Sequence, residues 1–79
     1  MWYKGKITIQ LKNLLDVEKL IGFLLEERVF NFRLKQKFDS FSCSYFVLEI
    51  INPDEYVYEV MPRVVKKVSL DFYNAKKKN

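Results

Sequence analysis

Asn52-Pro53-Asp54-Glu55-Tyr56-Val57-Tyr58-Glu59-Val60-Met61-Pro62-Arg63-Val64-Val65-Lys66-Lys67 is the stretch whose reading decides the fold. Taken with a period of about 3.6 residues, Val57, Val60, Met61, Val64 and Val65 fall on one apolar stripe. Asn52 suits a cap and Pro53 the first helical position. Asp54 and Glu55 sit at the positive end of the helix dipole, with Lys66 and Lys67 at the negative end. Taken with a period of two, Tyr56 to Met61 becomes a hairpin strand and a helix restarts at Pro62, because an interior proline normally kinks or ends a helix. The stripe and the charge polarity favour the helix, kinked at Pro62. The strand would set Glu59 among apolar residues with nothing to offset its burial.

Working outward, Val68, Leu70 and Phe72 alternate with Ser69, Asp71 and Tyr73 as a closing strand. Before the helix, a strand runs from Cys43 or slightly earlier to Ile51. Phe46, Leu48 and Ile50 face inward there, because the other phase would bury Glu49, and Tyr45 and Val47 face outward. Asp39 to Ser42 is a turn. Phe30, Phe32 and Leu34 alternate with Asn31, Arg33 and Lys35, continuing to Lys37, as a strand with a basic outer side. Val17, Leu20, Ile21, Leu24 and Leu25 recur at helical spacing opposite Glu18, Lys19, Glu26 and Glu27, with Asn13 or Asp16 as cap. From Tyr3 to Leu11, Ile7, Ile9 and Leu11 alternate with Lys6, Thr8 and Gln10 as the first strand.

The two halves share a pattern. The stripe of the first helix matches that of the second at one constant offset, that from Val17 to Val57, and Phe30 and Phe32 match Leu70 and Phe72 at the same offset. Two βαβ units with right-handed crossovers interleave into a four-stranded antiparallel sheet with both helices on one face. This is the α+β, ferredoxin-like βαββαβ sandwich. The domain spans residues 1–74, and residues 75–79 are a basic disordered tail.

Composition removes most chemistry. The 79 residues include no His, one Cys and two Gly. Without imidazole the Ser-His and Cys-His nucleophile schemes and most zinc sites are lost. Cys43 cannot form an internal disulfide, and a lone thiol of this kind is more often a small buried or half-buried residue than a nucleophile. Gly5 and Gly22 lie too far apart in sequence to build a phosphate loop. The chain reads as no enzyme, with no metal and no cofactor. With no long apolar run and no apolar leader it reads as a soluble, cytoplasmic protein without membrane contact. Its composition suits a phage, viral or mobile-element accessory protein.

Function must then lie in surfaces. Lys76, Lys77 and Lys78 supply three of the net +4 charges, so overall basicity says little and distribution says more. The open face of the sheet collects Lys4, Lys6, Lys12, Arg33, Lys35 and Lys37 against Glu49 and Asp71. The helices carry more acids than bases. Phe23, at about 100° per residue, falls away from the apolar stripe and reads as exposed. Phe23, Glu26, Glu27 and Tyr56 form a helix-face patch for a protein partner, which is the first expectation, with self-association of the chain beside it. The alternative is RNA or single-stranded DNA held on the open face by Lys6, Thr8, Gln10, Lys12, Arg33, Lys35, Lys37 and Tyr45. Tyr73 could stand among those charges. The lysines of the second strand also have a plainer use, discouraging association at a sheet edge. Paired cysteines, a Gly-aromatic strand and a Gly-containing first loop are missing, which sets aside a metallochaperone, an RNA-recognition motif and an amino-acid sensor.

Overall fold

The computed structural model describes Gly5 to Lys77. Elements follow in the order β1 (Gly5–Leu11), α1 (Leu14–Glu26), β2 (Phe32–Phe38), β3 (Ser44–Ile51), α2 (Glu55–Val65) and β4 (Phe72–Lys77). The strands form one sheet in the order β2-β3-β1-β4, with every neighbouring pair antiparallel. This is the ferredoxin-like α+β arrangement read from the sequence. Tyr3 and Lys4, assigned there to the first strand, lie outside the described residues, as do Trp2, Lys78 and Asn79.

The core forms between the sheet and the helices. Ile7, Ile9, Leu11, Leu48 and Ile50 from the central strands meet Val17, Leu20 and Leu24 of α1 and Val57, Met61 and Val64 of α2, and Val60 is buried as well. Each such side chain contributes roughly 1.5–3 kcal/mol by leaving water. α2 is continuous through Pro62, which sits on its exposed side. The strand alternative for Tyr56 to Met61 is thereby excluded. Its cap is Asp54 rather than Asn52, with Asp54 Oδ1 accepting from Val57 N–H at 3.0 Å. Asn52 instead adopts φ 47° in the turn leaving β3. At the start of α1, Asn13 occupies the cap position without a side-chain cap bond, and Asp16 lies within the helix, where its carboxylate accepts from Ser69 N–H at 3.3 Å.

Three strand assignments need correction. Phe30 precedes β2 and is 67% exposed, and Leu34 is 43% exposed although it points to the helix side. Leu25, placed in the α1 stripe by periodicity, is also exposed. α1 lies against β1 and α2 and leaves this flank uncovered. The closing strand begins at Phe72, because Val68 and Leu70 pack on the core from the irregular run after α2, which is pinned where Asp71 N–H donates to Gln10 O at 2.8 Å. Tyr73 therefore takes the inward position opposite Ile9, and Phe72 faces the open side opposite Gln10. Finally, Ala75, Lys76 and Lys77 are not a disordered tail: they pair with Ile7, Lys6 and Gly5.

Candidate interaction surfaces

The open face is built from the residues of each strand that point away from the helices. β1 gives Lys6, Thr8 and Gln10, β2 gives Arg33, Lys35 and Lys37, and β3 gives Tyr45, Val47 and Glu49. β4 adds Phe72, Asn74 and Lys76. The sequence reading missed these three, since its strand ended too early and in the opposite phase. Tyr73, proposed for this face, is on the other, where burial raises the phenol above its ordinary value, with the charge of Tyr58 adding to the shift. Lys4 lies outside the described residues.

Glu49 governs the centre of this face. It is buried although its strand points it outward, because β3 is an inner strand and long side chains from β1 and β2 close over it. Lys6 Nζ lies 3.3 Å from its Oε2, Lys35 Nζ 3.3 Å from its Oε1 and Arg33 Nη2 3.9 Å from its Oε1. Oε1 makes these contacts without an aligned hydrogen bond among the described residues. Burial pushes the Glu49 carboxyl up, but the ammonium groups of Lys35 and Lys6 outweigh it and hold the group below its ordinary value. Three of the bases expected to meet a phosphate backbone thus converge on one carboxylate. Val47 beside it is buried, and Tyr45 is half-buried.

At one end of the face, Gln10, Lys12, Asp39, Cys43, Ser44, Tyr45 and Asp71 line an open hollow of about 440 Å³. The adjoining hairpin loop is ordered by Asp39, whose Oδ1 accepts from Phe41 N–H at 2.8 Å and Cys43 N–H at 3.0 Å. Cys43 is exposed, contrary to the expectation of a buried or half-buried thiol. No group of three or more His, Cys, Asp or Glu side chains that could hold a metal gathers among the described residues. No helix among them is long and apolar enough to cross a membrane.

The helix-face patch is reorganised by the structure. Phe23 is half-buried against the core, with Lys67 Nζ 5.0 Å from its ring centroid, because the segment following α2 folds over this flank of α1. Tyr56 hydroxyl donates to Glu27 Oε1 across the two helices, and that bond raises the phenol above its ordinary value. Tyr56 and Glu27 thus tie α2 to the end of α1, and Phe23 serves the docking of the segment after α2. Glu26 is exposed beside them.

The largest exposed apolar side chains lie elsewhere. On the helix side of β2, Leu34 is 43% and Phe38 65% exposed; Phe41 in the following loop is 85% exposed; Leu14, Leu15 and Leu25 of α1 are exposed as well. Periodicity alone could not find this surface, because alternation in β2 looks the same whether or not a helix covers it. No family model, curated protein or solved structure matches the chain.

Proposed function

We propose that this chain is a small non-enzymatic interaction module with a regulatory or assembly role, acting by contact with a protein, either another chain or a copy of itself. The observation that carries the reading is the exposed apolar surface around β2, where Leu34 and Phe38 stand bare on the side of the sheet that elsewhere forms the core. Apolar surface of this kind, rimmed here by charged residues, is typical of protein-contact sites. The helix-face patch loses support as the contact site, because Phe23 is half-buried under the segment bearing Lys67 and Tyr56, though 48% exposed, donates its hydroxyl to Glu27.

The test places a photo-crosslinking amino acid at Phe38 in the source cell. A discrete cross-linked protein, or a cross-linked dimer, that disappears when Leu34 is replaced by Ser is the expected result. Absence of any protein adduct would refute the reading.

A second reading, RNA or single-stranded DNA on the open face, draws on Phe72, which is 43% exposed there, together with Lys76, Lys6 and Tyr45. The half-burial of Tyr45 tells against it, because the ring offers less surface for a base to stack on. Salt-sensitive anisotropy changes of a labelled single-stranded RNA, abolished by Phe72→Ala with Lys76→Glu, would support this reading.

A further inference from the structure

β2 is an edge strand, and its register fixes which backbone groups face away from β3. Ile51 N–H donates to Asn31 O at 2.9 Å, and Asp39 N–H donates to Cys43 O at 3.0 Å. Bonded and non-bonded pairs alternate in an antiparallel ladder, so Arg33, Lys35 and Lys37 exchange their backbone bonds with Glu49, Val47 and Tyr45. The N–H and C=O groups of Leu34, Gln36 and Phe38 therefore point out from the free edge. Phe32 N–H, by contrast, is engaged by Phe30 O at 3.0 Å.

The side chains give this edge two unlike faces. Arg33, Lys35 and Lys37 line the open side, while Leu34 and Phe38 line the side shared with α1, whose Leu14 and Leu25 are exposed too. Charge that merely guards an edge accounts for the bases. It does not account for bare Leu34 and Phe38 beneath them.

Charge also selects the occupant. Glu49 offers one negative charge to three bases, and Lys37 has no carboxylate partner among the described residues. Pairing with β2 of a second copy would set Arg33, Lys35 and Lys37 beside the same three bases, and like charges across a strand pair are destabilising. A strand presents its side chains to alternate faces. Acidic residues at every second position, with apolar residues between them, satisfy both faces at once.

We infer that β2 binds an extended acidic-apolar segment of another protein by strand addition along Leu34, Gln36 and Phe38, with carboxylates over Arg33, Lys35 and Lys37 and apolar side chains over Leu34 and Phe38. This deepens the protein-contact reading and rests on it.

The test adds a synthetic octapeptide of alternating Glu and Val to the isotopically labelled full chain and follows amide hydrogen exchange. Exchange at Leu34, Gln36 and Phe38 is expected to slow at least about tenfold, saturably; an alternating Lys and Val peptide has no effect. Gln36→Pro, tolerated because edge strands accept proline where the N–H faces solvent, abolishes the slowing while keeping the thermal midpoint. Should that variant not fold, Lys35→Glu with Lys37→Glu carries the test by losing the Glu peptide and accepting the Lys peptide. No slowing at β2 with the Glu peptide overturns the inference. If the chain alone sediments as a dimer with those amides protected, self-pairing replaces the peptide and the protein-contact reading survives. If neither peptide nor protein engages Phe38, while RNA shifts the β1 and β4 resonances, both readings fall.

Discussion

The two edges of one sheet are treated in opposite ways. β4 is fastened to its helix: Tyr58 hydroxyl donates to Lys76 O at 2.6 Å, and Lys77 Nζ sits 2.6 Å from Glu55 Oε1 and 5.4 Å from the Tyr58 ring centroid. Tyr73 packs on the core from the same strand. Among the described residues β2 has no such fastening from α1; Phe32 at its start packs on the core, but Leu34 and Phe38 beyond it are exposed. The two strands begin at corresponding positions of the repeat, Phe32 and Phe72, yet Phe32 points to the helix side and Phe72 to the open face. A repeated pattern thus yields one edge fastened by the chain's own side chains and one whose Leu34 and Phe38 remain exposed. Edge strands in general have to be paired, covered or charged.

Substitutions on the two sides should separate accordingly. Gly5→Ala has the largest expected effect. Gly5 adopts φ +125°, and an added Cβ would collide with Lys76 O and the Tyr58 hydroxyl. Strain and the clash together should remove about 2–3 kcal/mol, lowering the thermal midpoint by about 10–20 °C in a circular-dichroism melt. Tyr58→Phe, which deletes only the bond to Lys76 O, should cost about 1 kcal/mol in urea titration. A chain ending at Asn74 removes Ala75 to Lys77 from β4 and should be less stable than Tyr58→Phe, whereas a disordered tail could be cut without cost.

Glu49 joins β2 to the centre of the sheet and gives a pH-dependent check. Its folded-state value is depressed below the ordinary 4.5, so its stabilising contribution is present above that value and is lost as the pH falls through the lower, folded value. The stability difference between the parent chain and Glu49→Gln should therefore be constant near neutrality and shrink below about pH 4.5. A difference that persists at low pH would mean that charge is not the cause. The smallest effect belongs to Phe38→Ser, expected within about 0.5 kcal/mol of the parent because the ring is mostly in solvent. A loss comparable to that of Gly5→Ala would show β2 to be as fully built into the domain as β4.

Much of this was legible in the chain. The α2 stripe overruled Pro62 because five apolar residues at one spacing outweigh one lost backbone donor on the exposed side, and the phase of β3 followed from the cost of burying Glu49 in the core. The phase of β4 was not legible. Val68 and Leu70 do pack on the core, half-buried, but from an irregular run, so their alternation with Phe72 imitated a strand. For the candidate surfaces, the basic residues of the open face were readable from alternation. Their convergence on Glu49, the covering of Phe23 by the segment bearing Lys67 and the bareness of Leu34 and Phe38 all depend on which elements lie side by side, which local spacing does not encode.

The pairing of β1 with β4 sets Gly5 directly opposite Lys77, so the two strands meet at the same end of the sheet. Tension applied through these two residues would pull along the hydrogen bonds, which run across antiparallel strands, and the bonds would break in turn, like a zip, instead of resisting together. The domain should yield at low force, β4 first. Its departure would uncover β1, whose inward residues Ile7, Ile9 and Leu11 are wholly buried in the intact fold, and the mechanically opened chain would carry a second, far more adhesive edge.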